Sequence, residues 1–236
     1  MQISETACEF AQMIDHALLH PTLTEADILK SIQSVSIWPL AAVCVKPSYV
    51  SLVVNSLCDT NIETCTVIGF PHGSNATSVK LFETETALSQ GASEIDMVVN
   101  IGRVLGDEWS TVEDEIACIL DSVRQAGALL KVIFENDYLP DDNYIIRLCE
   151  ICSVLEVDYV KTSTGFGYVQ QENGMARTYG ASKHHLELMR HHTASHIGIK
   201  ASGGIKSLSD MKSCIAAGAT RIGTSSTVNI LNEISA

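Results

Sequence analysis

Ala126-Gly-Ala-Leu-Leu-Lys-Val-Ile-Phe-Glu135 contains the end of one predicted helix and the strand that follows it. A glycine directly after a helix can adopt a positive φ and end the helix. A short apolar run is typical of a strand that is buried in a parallel sheet. The same arrangement recurs at Gln90-Gly-Ala and at Ala217-Gly-Ala. This recurrence predicts a fold assembled from repeated helix and strand units.

Short apolar runs occur at intervals along the whole chain. We interpret eight of them as strands: Met13–Leu19, Ala42–Val45, Cys65–Phe70, Glu94–Asn100, Leu130–Glu135, Asp158–Thr162, Ile197–Ala201 and Arg221–Thr224. Stretches of helical period lie between them, such as Ser78–Gln90, Val112–Gln125, Tyr144–Leu155 and Leu208–Ala217. The alternation predicts the α/β class and a single-domain (β/α)8 TIM barrel over residues 1–236. The main alternative is an open doubly wound sheet, but no GxGxxG turn follows the early strands.

The composition is that of a globular protein with a sizeable core. Apolar residues make up 46% of the chain and charged residues 18%. No run of ~18 apolar residues predicts a transmembrane helix, and the acidic start lacks the features of a secretory signal. We therefore expect a cytoplasmic protein without membrane partners. The net charge of -13 disfavours general binding to nucleic acid, so an anionic ligand requires a local site.

The cysteines and the paired histidines are the candidates for a metal or redox site. Eight cysteines are dispersed through the chain, which favours reduced and mostly buried thiols. Cys149 and Cys152 have CxxC spacing, but they fall within a predicted helix over residues 141–155 and have no second CxxC. The pairs at residues 184–185 and 191–192 lie in a polar helical stretch, which is typical of a solvated surface. We predict no metal site.

Two lysines end apolar runs directly before glycine-rich turns. Lys161 lies in Asp158-Tyr-Val-Lys-Thr-Ser-Thr-Gly-Phe-Gly167, and Lys200 lies in Gly198-Ile-Lys-Ala-Ser-Gly-Gly-Ile205. A lysine that is buried beside a second cation can become a neutral amine and attack a carbonyl to form a Schiff base. Because barrel active sites lie at the C-terminal ends of the strands, Asp15, Asp96 and Lys131 are expected to converge with the two lysines. A structural ion-pair network inside the barrel is the alternative interpretation.

The turns after the last two predicted strands indicate an anion site. They read Ser202-Gly-Gly-Ile-Lys206 and Gly223-Thr-Ser-Ser226, and each leads into a predicted helix. Glycines let backbone N–H groups approach a ligand, and helix N-termini favour anions. Two consecutive turns of this kind occupy the usual positions of a barrel phosphate site. Lys206, Ser225 and Ser226 supply a charge and two hydroxyl groups there.

The ordered set of strings resembles the deoxyribose-phosphate aldolase family over nearly the entire chain. The strings are Ile14-Asp-His-Ala-Leu-Leu-His-Pro21, Ala42-Val-Cys-Val45, Val67-Ile-Gly-Phe-Pro71, Glu94-Ile-Asp-Met-Val-Val-Asn100, Leu130-Lys-Val-Ile-Phe-Glu135, Val160-Lys-Thr-Ser-Thr-Gly-Phe166, Ile199-Lys-Ala-Ser-Gly-Gly-Ile205 and Arg221-Ile-Gly-Thr-Ser-Ser226. The resemblance implies a class I aldolase that cleaves 2-deoxy-D-ribose 5-phosphate reversibly to D-glyceraldehyde 3-phosphate and acetaldehyde. It implies no metal and no cofactor, because the protonated imine is itself the electron sink, and it implies a homodimer only at the level of the family.

The resemblance also implies roles for individual residues. Lys161 is expected to form the Schiff base, Lys200 to be the neighbouring cation that favours its neutral amine, and Asp96 to transfer protons with water. The expected substrate-binding residues are Asp15, Lys131, Thr164, Gly165, Gly203, Gly204, Lys206, Ser225 and Ser226. Two other functions stay open: another Schiff-base phosphosugar aldolase or transaldolase, and a non-catalytic phosphosugar-binding barrel.

Several positions depart from the usual pattern of the family. Ala17 and His20 stand in the first motif where threonine and lysine are more frequent, and Asn136 replaces a frequent threonine. The segment Gln170–Ser182 lacks a common Gly-Gly-Ala-Thr string. Cys44 ends the second predicted strand, and it is interpreted either as a pocket thiol that an unsaturated aldehyde can alkylate or as an inert core thiol.

Overall fold

The central feature of the protein is a closed barrel of parallel strands, and the computed structural model describes residues 4–170 and 174–235. The strands in these ranges are β1 (Ile14–Leu18), β2 (Ala42–Val45), β3 (Glu63–Ile68), β4 (Glu94–Val98), β5 (Leu129–Ile133), β6 (Tyr159–Lys161), β7 (Val169–Gln170), β8 (Ala176–Arg177), β9 (Gly198–Ser202) and β10 (Arg221–Thr224). The barrel has the closed order β1-β10-β9-β6-β5-β4-β3-β2. β7 and β8 form a separate antiparallel hairpin.

Helices connect the strands and surround the barrel. They are α1 (Glu5–Ala11), α2 (Glu25–Val35), α3 (Val50–Leu57), α4 (Thr77–Ser89), α5 (Ile101–Leu105), α6 (Trp109–Gln125), α7 (Asp142–Leu155), α8 (Lys183–His192), α9 (Leu208–Ala216) and α10 (Thr227–Ser235). Short 3-10 turns follow β2 at Pro47–Tyr49 and β5 at Asn136–Tyr138. Within the described ranges, no helix combines the length and apolar character needed to cross a membrane.

The predicted (β/α)8 barrel is confirmed. Each of the eight predicted strands overlaps one barrel strand, and the four predicted helices correspond to α4, α6, α7 and α9. The pattern did not predict α1, whose buried residues are only Ala7 and Ala11, because two alanines give little apolar period. It also did not predict the β7–β8 hairpin, which lies in the divergent segment between β6 and α8. Residues 171–173 of that segment lie outside the described residues.

The apolar core lies mainly between the barrel and the helices, whereas the inside of the barrel is divided. The inner faces of β2 and β3 carry apolar and thiol side chains such as Ala42, Cys44 and Val67, and a small separate cluster forms there. The register pairs Asp96 with Lys131 across β4 and β5, and Lys161 with Lys200 across β6 and β9. The charged half of the interior therefore faces an apolar half.

Two helix starts at the mouth of the barrel are stabilised by their own side chains. The N-caps of α2 and α9 are Thr24 and Ser207, and each forms a capping box with an aspartate three residues later, Asp27 or Asp210. Such caps satisfy backbone N–H groups that have no partner inside the helix, and each is worth about 1 kcal/mol. The turns after β1 and β9 are thereby tied to well-defined helix ends.

A buried ion pair joins α4 and α6 outside the barrel. Lys80 is fully buried, and its Nζ lies 2.9 Å from Oε2 of Glu115 and 2.7 Å from the carbonyl oxygen of Val98. Burial lowers the pKa of Lys80, and Glu115 opposes that effect. Oε2 of Glu115 also accepts a hydrogen bond from the backbone N–H of Asn100. The pair connects both helices to the end of β4.

We predict that Glu115→Ala lowers the free energy of unfolding by about 3 kcal/mol, because it leaves the ammonium of Lys80 buried without a carboxylate. Urea unfolding measures this change. The control is Glu187→Ala, which removes one partner of the exposed Lys183–Glu187 pair on α8 and should cost less than about 1 kcal/mol. Equal effects of the two substitutions would contradict the prediction.

Candidate active site

A cluster of lysines and carboxylates fills the charged half of the barrel interior. Asp96 on β4 is fully buried, and its Oδ2 lies 2.6 Å from Nζ of Lys161 and 2.7 Å from Nζ of Lys200. Its Oδ1 lies 2.8 Å from Nζ of Lys131. One carboxylate therefore accepts hydrogen bonds from the amino groups of three lysines that come from three different strands. Asp96 and the three lysines therefore converge, as the sequence predicts.

A second set of ion pairs lies beneath this contact. Lys200 also contacts Asp15, whose Oδ1 lies 2.6 Å from Nη1 of Arg221. Nζ of Lys131 lies 2.6 Å from Oε2 of Glu94 and 3.4 Å from Oδ2 of Asp15. Nη1 of Arg221 lies 3.2 Å from Oε1 of Glu94. Sequence reasoning missed Glu94 and Arg221, because each begins an apolar run rather than ending one.

Neighbouring charges overcome the effect of burial on these groups. Burial raises the pKa of Asp96, but the three lysines around it hold the pKa well below its usual range. Burial lowers the pKa of Lys200, yet Asp15 and Asp96 raise it above its ordinary value. The pKa of Lys131 is raised in the same way. Lys131 and Lys200 are therefore held as ammonium ions and Asp96 as a carboxylate.

The cluster contains one more basic group than acidic groups. Among the described residues, the basic members are Lys131, Lys161, Lys200 and Arg221, and the acidic members are Asp15, Glu94 and Asp96. An uncompensated buried charge is costly, so one neutral amine would balance the set. Lys161 contacts a single carboxylate, whereas each of the other three basic groups contacts at least two. Lys161 is therefore the basic group that the carboxylates of the cluster compensate least.

A cavity of about 440 Å³ opens above the cluster at the C-terminal end of the barrel. Nine of the twelve predicted site residues line it: Asp15, Lys161, Lys200, Thr164, Gly165, Gly203, Gly204, Lys206 and Ser225. Asp96 lies directly beneath Lys161 and Lys200. Lys131 is fully buried lower in the barrel, and Ser226 lies at the start of α10, where its carbonyl oxygen accepts from Ile230. These three residues do not line the cavity.

The cavity has one polar and one apolar side. The turns after β9 and β10 supply Gly203, Gly204 and Ser225, and they lead directly into α9 and α10. The opposite side carries Ala17, Leu19, Cys44 and Phe166. A ligand with an anionic end and a short apolar end fits this division. Of the positions that depart from the family pattern, Ala17 and His20 line the cavity, whereas Asn136 is buried away from it.

The thiols in the barrel lie close to the charged cluster. Cys44 lines the cavity, and Sγ of Cys65 lies 3.2 Å from both Oδ1 of Asp96 and Nζ of Lys131. A hydrogen bond with Cys65 lowers the pKa of Cys44, and burial opposes that effect. The alkylation of Cys44 by an unsaturated aldehyde stays a prediction. Cys149 and Cys152 are both buried in α7, as the helical interpretation of their spacing requires.

Among the residues that the structure describes, two groups of buried side chains have donor atoms close enough to share a metal ion. They are Cys44, Cys65 and Asp96, and Asp15, Cys65 and Glu94, with all donor atoms of each group within 4.8 Å of one another. The carboxylates of both groups already contact lysine or arginine side chains. These cations compensate the same charges that an ion would need, so the donor sets fit ammonium groups better than a metal ion. On the surface, His184 contacts the carboxylate of Asp142 at 2.8 Å.

The segment after β5 contributes two carboxylates that sequence reasoning did not single out. Glu135 is fully buried, and it accepts hydrogen bonds from the backbone N–H and the hydroxyl group of Thr164. Asp137 accepts hydrogen bonds from the backbone N–H groups of Tyr179 and Gly180. The position of Glu135 at the end of an apolar run was the available signal. Asp137 gave no such signal, because its partners are main-chain groups.

Comparisons with known proteins agree with the geometry. Residues 10–233 match the family model described as DeoC/LacD family aldolase. The chain is 43% identical to a deoxyribose-phosphate aldolase of Rhodopirellula baltica, over 95% of this chain and 89% of the relative. It is 42% identical to one of Bacillus subtilis, over 94% of each. The structure resembles the tetrameric deoxyribose phosphate aldolase of Aeropyrum pernix, with a TM-score of 0.86, 31% identity, and coverage of 98% of this chain and 92% of the other.

We predict a pH-dependent loss of stability that originates at Glu135. Burial raises the pKa of Glu135 from its usual 4.5 to about 7, and the hydrogen bonds from Thr164 only partly oppose this. The folded state therefore binds the proton more tightly than the unfolded state does. The resulting stabilisation is complete below pH 4.5 and is lost as the pH rises to about 7, and it amounts to about 3 kcal/mol.

Urea unfolding of the wild type and of Glu135→Gln between pH 4.5 and 8 measures this contribution. The difference in unfolding free energy, wild type minus variant, should fall as the pH rises, because a glutamine does not titrate. Comparing this difference cancels groups that titrate equally in both proteins, such as His16, whose pKa burial lowers to about 4. The exposed Glu85→Gln is the control. A difference that is constant over this range would contradict the prediction.

Proposed function

Since the chain belongs to the DeoC/LacD family of aldolases and is a lyase of the deoxyribose-phosphate aldolase type, we propose that it forms a Schiff base on Lys161. The reaction is the reversible cleavage of 2-deoxy-D-ribose 5-phosphate to D-glyceraldehyde 3-phosphate and acetaldehyde. One observation supports this proposal above all: Lys161 lines the cavity while its Nζ lies 2.6 Å from Asp96, a carboxylate that it shares with Lys200.

The first step requires a neutral amine next to a fixed cation. Lys200, held as an ammonium ion by Asp15 and Asp96, disfavours a second positive charge on Lys161. The free amine attacks C1 of the open-chain sugar and gives a carbinolamine. The hydroxyl group of the carbinolamine takes up a proton from solvent and leaves as water, which gives a protonated imine, and the final hydrolysis returns this proton. The carboxylate of Asp96 lies within reach of the nitrogen throughout these steps.

Cleavage then breaks the bond between C2 and C3 of the sugar. The C3 hydroxyl group passes its proton to a water molecule paired with the Asp96 carboxylate, and C3 becomes the aldehyde carbon of glyceraldehyde 3-phosphate. The bonding electrons move to the imine and leave an enamine. Asp96, acting through a water molecule, returns a proton to C2. Hydrolysis of the resulting imine releases acetaldehyde and restores the amine of Lys161. The iminium nitrogen accepts the electrons, so the reaction needs no cofactor.

The polar side of the cavity is proposed to hold the phosphate group. Gly203 and Gly204 follow β9, Ser225 follows β10, and both turns lead into helices whose N-termini favour an anion. Lys206 adds a positive charge to the same side. Thr164 and Gly165 complete the proposed substrate-binding set near Lys161. Asp15 and Lys131 act by positioning the lysine cluster. Ser226, at the start of α10, is also a proposed phosphate contact, although it does not line the cavity.

The apolar side of the cavity is proposed to select the two-carbon donor. Ala17 and Phe166 offer no hydrogen-bonding partner for an extra hydroxyl group there, and the Cys44 thiol offers only a weak one. Burial of a hydroxyl group without a hydrogen bond costs about 1–3 kcal/mol. A donor that carries hydroxyl groups is therefore disfavoured relative to acetaldehyde. This argument separates the proposal from another phosphosugar aldolase or a transaldolase.

We predict that borohydride reduction in the presence of deoxyribose 5-phosphate attaches a sugar-derived group to Lys161, because the imine forms there. Mass mapping of the protein locates the adduct. Lys161→Ala should lower turnover by roughly 10⁴-fold or more while it retains binding of the phosphosugar. The exposed Lys30→Met is the control and should react like the wild type. An adduct on another lysine, or turnover by Lys161→Ala, would contradict the mechanism.

We further predict that acetaldehyde is preferred over acetone and dihydroxyacetone as the donor for addition to glyceraldehyde 3-phosphate. The physical reason is the unpaired hydroxyl groups of dihydroxyacetone on the apolar side of the cavity. Product analysis with each donor checks the order. Preference for dihydroxyacetone would favour a different Schiff-base aldolase. Phosphosugar binding without an adduct or turnover would favour a non-catalytic binding barrel. The cytoplasmic location and the homodimer stay predictions.

A further inference from the structure

We propose that Asp137 is a positioning residue that sets the affinity of the cavity for phosphate by holding the turn after β9 in place. This inference rests on the proposed function, because it concerns the same phosphate-binding turn. Asp137 belongs to the 3-10 turn after β5, and it does not line the cavity. Its effect on the turn is transmitted through the backbone at Gly180.

The first contact in this chain is between Asp137 and the segment that precedes α8. Oδ1 of Asp137 lies 2.9 Å from the backbone nitrogen of Gly180, and Oδ2 lies 2.9 Å from that of Tyr179. Both N–H groups donate to one carboxylate, and hydrogen bonds to an ionised acceptor are stronger than those between neutral groups. Asp137 thereby fixes the point where the chain returns from the β7–β8 hairpin.

The second contact is between Gly180 and Gly203 of the phosphate turn. The backbone N–H of Ala181 donates to the carbonyl oxygen of Gly203 over 3.2 Å. Gly180 and Gly203 both have positive φ, and a Cβ atom placed on Gly180 would lie 2.4 Å from the carbonyl oxygen of Gly203. The two backbones are in direct contact and leave no room for a side chain between them. A displacement of Gly180 therefore displaces Gly203.

The need for this support comes from the hairpin. The chain leaves β6, forms β7 and β8, and must return to the same side of the cavity at Gly180. The hydroxyl group of Thr178 donates to the carbonyl oxygen of Gly167 and closes the base of the hairpin. The N–H of Tyr168 donates over 2.9 Å to the hydroxyl oxygen of Tyr138, which belongs to the 3-10 turn after β5. The 3-10 turn after β5 thus holds both the outgoing and the returning strand. Within this 3-10 turn, Asp137 is the residue that contacts the returning chain at Tyr179 and Gly180.

We expect Asp137→Ala to raise KM for deoxyribose 5-phosphate and Kd for inorganic phosphate, each by roughly tenfold. The turnover number at saturation and kcat/KM for unphosphorylated 2-deoxyribose should stay within about twofold of the wild type, because Lys161 and Asp96 are not displaced. Asp137→Asn keeps one acceptor oxygen and should have a smaller effect. Steady-state kinetics with both sugars and equilibrium titration with phosphate measure these changes.

Two further variants separate positioning from general damage to the fold. Gly180→Ala places a methyl group against the backbone of Gly203 and so displaces the same turn. It should show the same selective loss of phosphate affinity. Asp142→Ala removes a nearby exposed carboxylate that contacts His184, and it should change neither affinity. Urea unfolding of every variant shows whether each protein is folded under the assay conditions. If Asp137→Ala does not fold, Asp137→Asn and Gly180→Ala carry the test.

The possible outcomes are distinct for the two proposals. Equal losses with both sugars, or no change in phosphate affinity in Asp137→Ala and Gly180→Ala, would overturn the role of Asp137. A wild type that binds no phosphate would overturn it as well. A wild type that binds phosphate but does not cleave deoxyribose 5-phosphate would contradict the proposed function alone, and the phosphate titration would still decide the role of Asp137.

Discussion

The carboxylate of Asp96 holds the interior of the barrel together, because the amino groups of three lysines converge on its two oxygen atoms. Side chains from β4, β5, β6 and β9 meet at this contact. Without the carboxylate, the ammonium groups of Lys131 and Lys200 would repel each other in a region from which water is largely excluded. The relative positions of Lys161 and Lys200, and therefore the proposed chemistry, depend on this one compensating charge.

The charged interior does not make the barrel stable. Buried ion pairs rarely stabilise a fold more than apolar residues of the same volume would, whereas the apolar layer between barrel and helices contributes through the area that it removes from water. The two faces of the strands therefore have different roles. The outer faces pack against the helices, and the inner faces carry the functional groups. The excess of one basic group inside the barrel is an electrostatic cost, and the proposed Schiff base forms on the basic group with the fewest carboxylate partners, Lys161.

Much of this arrangement could be predicted from the sequence, because strand ends are visible in the hydrophobic pattern. Lys161 and Lys200 each stand where an apolar run meets a glycine turn, and in a barrel all such positions lie at one end. The hydrophobic pattern does not predict how deep a residue lies inside the barrel, since this depth depends on the stagger between strands. The sequence therefore predicts Lys131 as a substrate contact, whereas in the structure it is fully buried and does not line the cavity. Ser226 stays a predicted phosphate contact, although the cavity lining ends at Ser225.

The least predictable part of the site is the support behind it. Glu135 and Asp137 act on the backbone N–H groups of Thr164, Tyr179 and Gly180, and every residue except proline has such a group, so no sequence pattern marks the partners. The hairpin between β6 and α8 adds to the difficulty, because it lengthens the connection without changing where that connection must end. The carboxylate of Asp137, on the 3-10 turn after β5, binds the backbone at the end of this connection. It fixes the return of the chain at Gly180, and the close contact of two glycine backbones carries that position to the phosphate side of the cavity.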